Sequence, residues 1–323
     1  MRQLIIGQGK RQGVCEMVMC CPVCTGEKIS LLCHKNKQVY LVCDKCGHSF
    51  VQDWVGKKEK RQSNSPPKNK KTSDSKLVWD YSSFKKEHVF FPRLDQIEKL
   101  ISRDRILDIG CANGAFLKAA DDRGWKTQGV ELRQKSIDIA RDNGIEVLTE
   151  PLEVLNLPAN FYSAVTMWQV VEHLPDPVAV LQDCHRILKL GGILAISTPN
   201  LKSIGWMLLK KNWPAVDPSA HPHLFSPSSL SLLLNNCGFT KCHLETLDIL
   251  PASVKLFKRK LTRKKITKPS NAVASLASSS SKTNMKGLFF CRKMLNVPLK
   301  LAGLGEDIYA YYRKVEDPVV SGK

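Results

Sequence analysis

The chain has 323 residues, 43% of them hydrophobic and 24% charged, with a formal net charge of +19. That length holds one full α/β domain plus a small module. No apolar run approaches the ~18 residues of a membrane span, and residues 1–19 lack the apolar core and cleavage site of a secretory signal, so the expected compartment is the cytoplasm.

The charge is unevenly placed. Residues 57–76 hold eight lysines and arginines against two acids, and residues 255–268 hold eight with no acid. Such segments suit an anionic partner, RNA or a membrane surface at which the protein sits peripherally. Solvated basic linkers are the plainer reading.

In chain order, residues 1–19 are expected to be disordered. Cys21-Pro-Val-Cys24 and Cys43-Asp-Lys-Cys46 follow, 18 residues apart. That is the paired C-x₂-C spacing of a zinc ribbon, here over residues 20–56. Each pair chelates from one turn, and four thiolates close a tetrahedral shell, so the ion is expected to be a structural Zn²⁺ with no open position. Cys20, Cys33, His34 and His48 are substitute ligands in reserve. Between the pairs LLCHKNKQVYLVC alternates like a hairpin turning near Asn36. Residues 57–76 read as a basic linker, with almost nothing to bury. After them come Trp79, Tyr81, Phe84, Phe90 and Phe91, either a lid over a ligand or a cap on the core.

Residues 77–323 alternate strand and helix, the pattern of a doubly wound parallel sheet. The key stretch is Arg105–Gly114, RILDIGCANG, an apolar strand running into a glycine turn. In such sheets ligands lie outside the strand ends, at turns of this kind. A dinucleotide phosphate would be repelled by Asp108, and Ala112 stands where the G-x-G-x-x-G fingerprint needs its second glycine. A cationic ligand suits Asp108 better. S-adenosylmethionine carries an ammonium and a sulfonium, and Glu131, 21 positions after Gly110, is placed to meet its ribose. The remaining elements are expected as helix 115–123, strand 126–131, helix 134–143, strands 145–148 and 164–168, and a helix from Asp176-Pro177 to about Leu190, stopped by Gly191-Gly192. Strand 193–198, a helix from Ser226-Pro227 to Gly238, and an antiparallel pair at 240–250 and 307–313 complete the set. Between that pair a basic, Ser-rich insertion spans about 251–305.

LDIGCANGAFL, GVE, YSAVTMWQVVEHLPDP, GGILAISTPN and HLFSPSSLSLLLNNCGF together resemble the landmarks of class I S-adenosylmethionine-dependent methyltransferases. They resemble most the branch that includes the ubiquinone-biosynthesis O-methyltransferases. The resemblance implies a Rossmann-like seven-stranded sheet. It implies a cofactor site of Asp108, Gly110, Cys111, Gly114, Glu131, Leu132, Leu152, Trp168 and Gln169, with the aromatic segment as its cover. In those relatives a Glu-x-x-Glu-His stretch has been associated with a divalent metal; here Gln169 replaces its first glutamate, and an amide is the weaker ligand for a hard cation. Another departure is Pro151, which stands where relatives often carry an acid for the adenine.

For a hydroxyl acceptor, His173 and His223 are the candidate bases, with His221 a poorer third and Glu172 beside them. Cys111 reads as packing, since no base is placed beside it. The expected reaction is methyl transfer, most simply O-methylation, to a small-molecule, lipid or glycan acceptor. An RNA methyltransferase gripping nucleic acid with the ribbon and basic arms is the alternative. A non-catalytic scaffold fits less well with intact Asp108, Gly110 and Glu131.

Overall fold

A computed structural model of the chain describes residues 19–52, 86–247 and 300–316. The basic segments 57–76 and 255–268, the aromatics Trp79, Tyr81 and Phe84, and most of the 251–305 insertion lie outside them.

Ile29–Lys35 (β1) and Gln38–Cys43 (β2) form the hairpin read from the sequence. Asn36 and Lys37, with φ of 51° and 63°, make the two-residue left-handed turn that matches strand twist. A third strand, Ser49–Val51 (β3), pairs with β2. The sheet then gains a fourth strand from far along the chain: β3 pairs antiparallel with a strand at His223–Leu224. The ribbon is therefore built into the larger domain. Cys21, Val23 and Cys43 lie in the same core cluster as the sheet residues Leu107, Val165 and Ile196.

A π-helical turn, Lys86–Phe90, leads into Phe91–Glu98 (α1). Glu98 accepts from Arg103, Arg123 and Trp125, tying α1 to the end of the next helix. The alternating elements are Arg105–Ile109 (β4), Ala115–Asp121 (α2), Lys126–Val130 (β5), Gln134–Asp142 (α3), Val147–Leu148 (β6), Tyr162–Trp168 (β7), Pro177–Ile187 (α4), Leu188–Pro199 (β8), Ile204–Leu209 (α5), the short His223–Leu224 (β9), Pro227–Asn236 (α6), Phe239–Leu247 (β10) and Asp307–Lys314 (β11). The large sheet runs β10-β11-β8-β7-β4-β5-β6. It is parallel from β8 to β6, and β11 runs antiparallel to both β8 and β10. This is a Rossmann-like methyltransferase sheet.

Two apolar clusters cover the sheet's faces. One unites Leu107 and Ile109 with α4 and α6; the other unites Ile106 with α1, α2 and α3. Neighbouring residues of one strand thus feed opposite layers, as the pleat requires. A third cluster joins ribbon and domain: Tyr40 and Val51 pack with Leu201, Leu209, Trp213, Val216 and Leu224.

Several boundaries shift by about two residues, and the one between α4 and β8 shifts furthest. Helix α4 stops at Ile187, and Gly191-Gly192 lie inside β8. Leu188 is fully buried and already paired with Tyr162, whereas the next paired residues are Ala164 and Ile193. The glycines form the bulge that takes up the unequal lengths. Gly191 has φ +76°, and a Cβ on Gly192 would stand 2.8 Å from the Lys189 carbonyl oxygen.

Candidate functional site

Sequence forces the turn after β4 to close tightly. Gly110 has φ +72°, and a Cβ there would lie 2.7 Å from a methyl of Val170. Gly114 has φ +77°, and its Cβ would lie 2.9 Å from Ile145. Both positions exclude a side chain on conformation and on space. Ala112 holds φ +50° between them, so this loop keeps a left-handed alanine where glycine would relax it. Cys111 is buried, with its sulfur packed under Gly129, and burial pushes its thiol up. It is a packing residue in this geometry.

Asp108 is 3% exposed at the end of β4, and Thr166 Oγ1 on the adjacent β7 donates to it at 2.6 Å. Burial raises its pKa to about 7, against the pull of that hydrogen bond and of the Arg93 charge. Glu131 ends β5. Its carboxylate accepts the backbone N–H groups of Ala112 (3.0 Å), Leu132 (2.8 Å) and Arg133 (2.9 Å). It therefore pins the glycine turn to the neighbouring strand end. A carboxylate has about four acceptor positions, so capacity remains for a ligand hydroxyl.

Leu132 beside it is 58% exposed, a large apolar side chain facing out. Leu152, by contrast, is 3% exposed and sits in the main core. Trp168 closes β7, edge-on to Phe116 with ring centroids 5.3 Å apart. Its Nε1 is buried without a hydrogen-bond partner. Gln169 follows in a left-handed conformation, φ +59°, with its amide donating to Ser197 Oγ (3.4 Å) and Asp307 Oδ1 (3.3 Å).

Sequence reading did not single out Arg93. Its guanidinium lies over the face of Trp168 at 4.6 Å and of Tyr309 at 5.5 Å, and its charge reaches Asp108. Phe90, one turn earlier, is buried against Phe116. Pro92-Arg93 after two phenylalanines was the only signal, and it was absorbed into the aromatic cover.

On the other side of Gln169, a 3₁₀ turn carries Glu172 and His173. Glu172 is 1% exposed; Thr198 Oγ1 donates to its Oε2 at 2.9 Å, while Oε1 is buried without a partner. Burial raises its pKa to about 8. His173 is exposed, and its Nδ1 lies 2.6 Å from the Ala220 carbonyl. The His221 ring stands 4.7 Å from that of His173. His223 lies elsewhere, enclosed where the ribbon meets the domain. It is 2% exposed, its Nδ1 is 3.1 Å from His48 Nε2, and burial lowers its pKa to about 4.

The four ribbon sulfurs converge: Cys21 Sγ is 3.6 Å from Cys46 Sγ, and Cys24 Sγ is 3.5 Å from Cys43 Sγ. Sulfurs at ~2.3 Å from a common tetrahedral centre lie about 3.8 Å apart, so the donor set fits zinc. A Cβ on Gly26 would stand 3.3 Å from two of these sulfurs, so the loop leaves room only for the cluster. Thr25 and Gly47, each just past a C-x₂-C pair, share the left-handed turn of a metal knuckle. Cys20, Cys33, His34 and His48 are outside this group.

Comparison with known proteins agrees with this geometry. The family model described as "Methyltransferase domain" matches residues 81–244. A ubiquinone biosynthesis O-methyltransferase of Bordetella avium is 37% identical over 192 residues, 54% of this chain and 79% of that protein. Its namesake from Nitrosomonas europaea is 33% identical over 134 residues, 38% of this chain and 57% of its own length. This chain thus spans less than two thirds of that second relative. A methyltransferase structure from Archaeoglobus fulgidus, titled as S-adenosylmethionine-dependent, aligns with 71% of this chain and 94% of its own at 22% identity, with a TM-score of 0.47. The strand order, the glycine turn between two carboxylates and the matched family model lead to one assignment: the chain belongs to the methyltransferase domain family, the S-adenosylmethionine-dependent enzymes of Rossmann-like fold.

Proposed function

We propose that the protein transfers a methyl group from S-adenosylmethionine to a hydroxyl of a small-molecule acceptor. The observation that carries this reading is the Gly110–Gly114 turn, cleared of side chains and flanked by two buried carboxylates. The residues fit the cofactor. Asp108 faces its ammonium, Glu131 its ribose hydroxyls, and the out-facing Leu132 offers an apolar platform for adenine. Leu152, read from the sequence for the same site, lies buried in the main core. Gly110, Cys111 and Gly114 let the backbone approach, while Trp168 and Gln169 border the methionine portion. Arg93, held over Trp168, is placed for the methionine carboxylate.

When bound, the cofactor supplies an electrophilic methyl on a positive sulfur. Asp108, Glu131, Trp168 and Gln169 would hold the donor, and the chain's part would be to align it with the acceptor oxygen. Much of the rate comes from alignment and exclusion of water. The acceptor proton passes to the Glu172–His173–His221 side, where His173 Nε2 is the accessible nitrogen. We assign His223, buried against His48, a packing role.

The acceptor class rests on the names of the relatives, both O-methyltransferases. The four-sulfur cluster is read as structural zinc, whose contribution is to fold the ribbon.

The test is methyl transfer from labelled S-adenosylmethionine to a panel of phenolic and aliphatic hydroxyl acceptors. His173→Ala is expected to lower kcat about 10²-fold, within the usual range for losing a proton acceptor, and to leave cofactor affinity within about twofold. Unchanged kcat would remove His173 from the reaction.

A further inference from the structure

The consecutive carbonyls of Ala220, His221 and Pro222 are taken by donors from two remote parts of the chain. His173 Nδ1 lies 2.6 Å from the first, the Tyr40 hydroxyl donates to the second at 2.5 Å, and the Val51 N–H donates to the third at 3.0 Å. His173 belongs to the turn after β7, whereas Tyr40 and Val51 are cross-strand partners on β2 and β3 of the ribbon. Residues 220–222 are thus gripped by the methyltransferase sheet's turn and by the ribbon together.

A carbonyl oxygen only accepts, so the His173 nitrogen facing Ala220 carries the proton and Nε2 keeps the lone pair. Where that ring points depends on where the Ala220 carbonyl stands. The segment bearing it is closed on itself: the Ala220 and His221 N–H groups both donate to the Asp217 carbonyl, at 3.0 and 2.7 Å, and His221 Nδ1 is held by the Ala215 carbonyl at 2.7 Å. Tyr40 and Val51 tie the end of this segment to the ribbon.

Tyr40 suits that task. Its side chain is fully buried and packs with Leu201, Leu209, Trp213 and Val216. Burial pushes the pKa of its hydroxyl up, so it stays a donor. A buried tyrosine hydroxyl needs a partner, and the one it has is a backbone carbonyl 181 positions along the chain.

We propose that Tyr40 is a positioning residue for the acceptor-side histidine. By holding the His221 carbonyl it fixes the Ala220–His221 peptide, and with it the tautomer and direction of His173, leaving Nε2 to take the acceptor proton. The ribbon then contributes to the chemistry and not to folding alone. The use of this link rests on the methyl-transfer reading; the link between Tyr40 and the His173 ring does not.

The experiment uses the full, zinc-loaded chain. Tyr40→Phe keeps the ring in its cluster and removes only the hydroxyl. Heteronuclear NMR of the histidine ring nitrogens, with the His173 signals assigned by their loss in His173→Ala, reads the tautomer; steady-state methyl transfer to an acceptor used by the wild type reads turnover. The wild type is expected to hold His173 in the Nδ1–H form. Tyr40→Phe should give a mixture of tautomers and lower kcat about tenfold, part of what losing the proton acceptor outright would cost, with acceptor KM and S-adenosylmethionine affinity within about twofold. Leu209→Val trims the same apolar cluster without touching the hydrogen bond; it should lower the melting temperature and move neither readout. A wild-type His173 in the Nε2–H form, an unchanged tautomer in Tyr40→Phe, or the same changes in Leu209→Val would overturn the proposal. A shifted tautomer in a chain that transfers no methyl group, or beside an unchanged kcat, would instead count against the reaction assigned to His173 and leave its link to Tyr40 standing.

Discussion

At the scale of single residues, the cofactor turn is governed by space and by charge. Gly110→Ala adds a methyl 2.7 Å from Val170 at φ +72°, so it meets both a steric and a conformational barrier. The left-handed backbone alone costs roughly 1–2 kcal/mol for a non-glycine residue. The variant is expected to lose about that stability or more, together with most of its S-adenosylmethionine affinity. Adding Val170→Ala should restore only the steric share, as a double-mutant cycle in chemical denaturation will show. Asp108 sets a pH dependence. Its pKa of about 7 in the unliganded fold exceeds the unfolded value, so the folded state holds the proton more tightly, and stability declines as pH rises from about 4 to about 7. A cationic ligand favours the ionised form. S-adenosylmethionine should therefore bind more tightly at pH 8 than at pH 6 and release a fraction of a proton near pH 6, measurable by calorimetry in buffers of different ionisation enthalpy. An affinity that falls as pH rises would contradict the placement of Asp108. Asp108, Gly110 and Glu131 were legible in the sequence because strand, turn and acid fall at fixed offsets. Arg93 was not. Its partner Trp168 is distant in the chain, and no local periodicity joins them.

At the scale of elements, the ribbon and residues 201–225 form one piece. The β3–β9 pairing, the Tyr40–His221 hydrogen bond, the His48–His223 stack and the shared cluster around Trp213 all join the cysteine module to residues 201–225. The sequence showed the ribbon and the sheet separately. It concealed their union because β9 is only two residues long, too short for an alternating pattern, and the basic linker suggested independence. The same blindness moved the end of α4. A glycine pair reads as a helix stop, whereas burial of Leu188 and its pairing with Tyr162 start the strand first. A consequence follows for Cys43→Ser. Loss of one of four thiolates should release the metal and unfold the ribbon. Hydrogen exchange is then expected to rise in β9 and residues 213–225, while β4, α2 and β5 keep their protection and cofactor affinity stays within about threefold. Equal loss of protection in β4 would mean that the ribbon supports the whole domain.

At the scale of the whole molecule, the parallel sheet, its two covering layers and its antiparallel β11 place Asp108, Glu131 and Trp168 at the carboxyl ends of β4, β5 and β7, where open α/β sheets bind ligands. No helix among the described residues is long and apolar enough to cross a membrane. The fold was legible because alternating strands and helices with glycine stops leave few topologies open. The meeting of His173 with residues 220–221 was not, because those segments are far apart in the chain and come together only in the fold. The central claim is that a glycine turn between Asp108 and Glu131 holds a cationic methyl donor, and titration calorimetry of the purified protein with S-adenosylmethionine tests it most directly. The account predicts one site per chain with micromolar affinity, about −8 kcal/mol, weakened at least tenfold by Asp108→Asn or by Glu131→Gln. No measurable binding, or a preference for a nicotinamide dinucleotide, would contradict it.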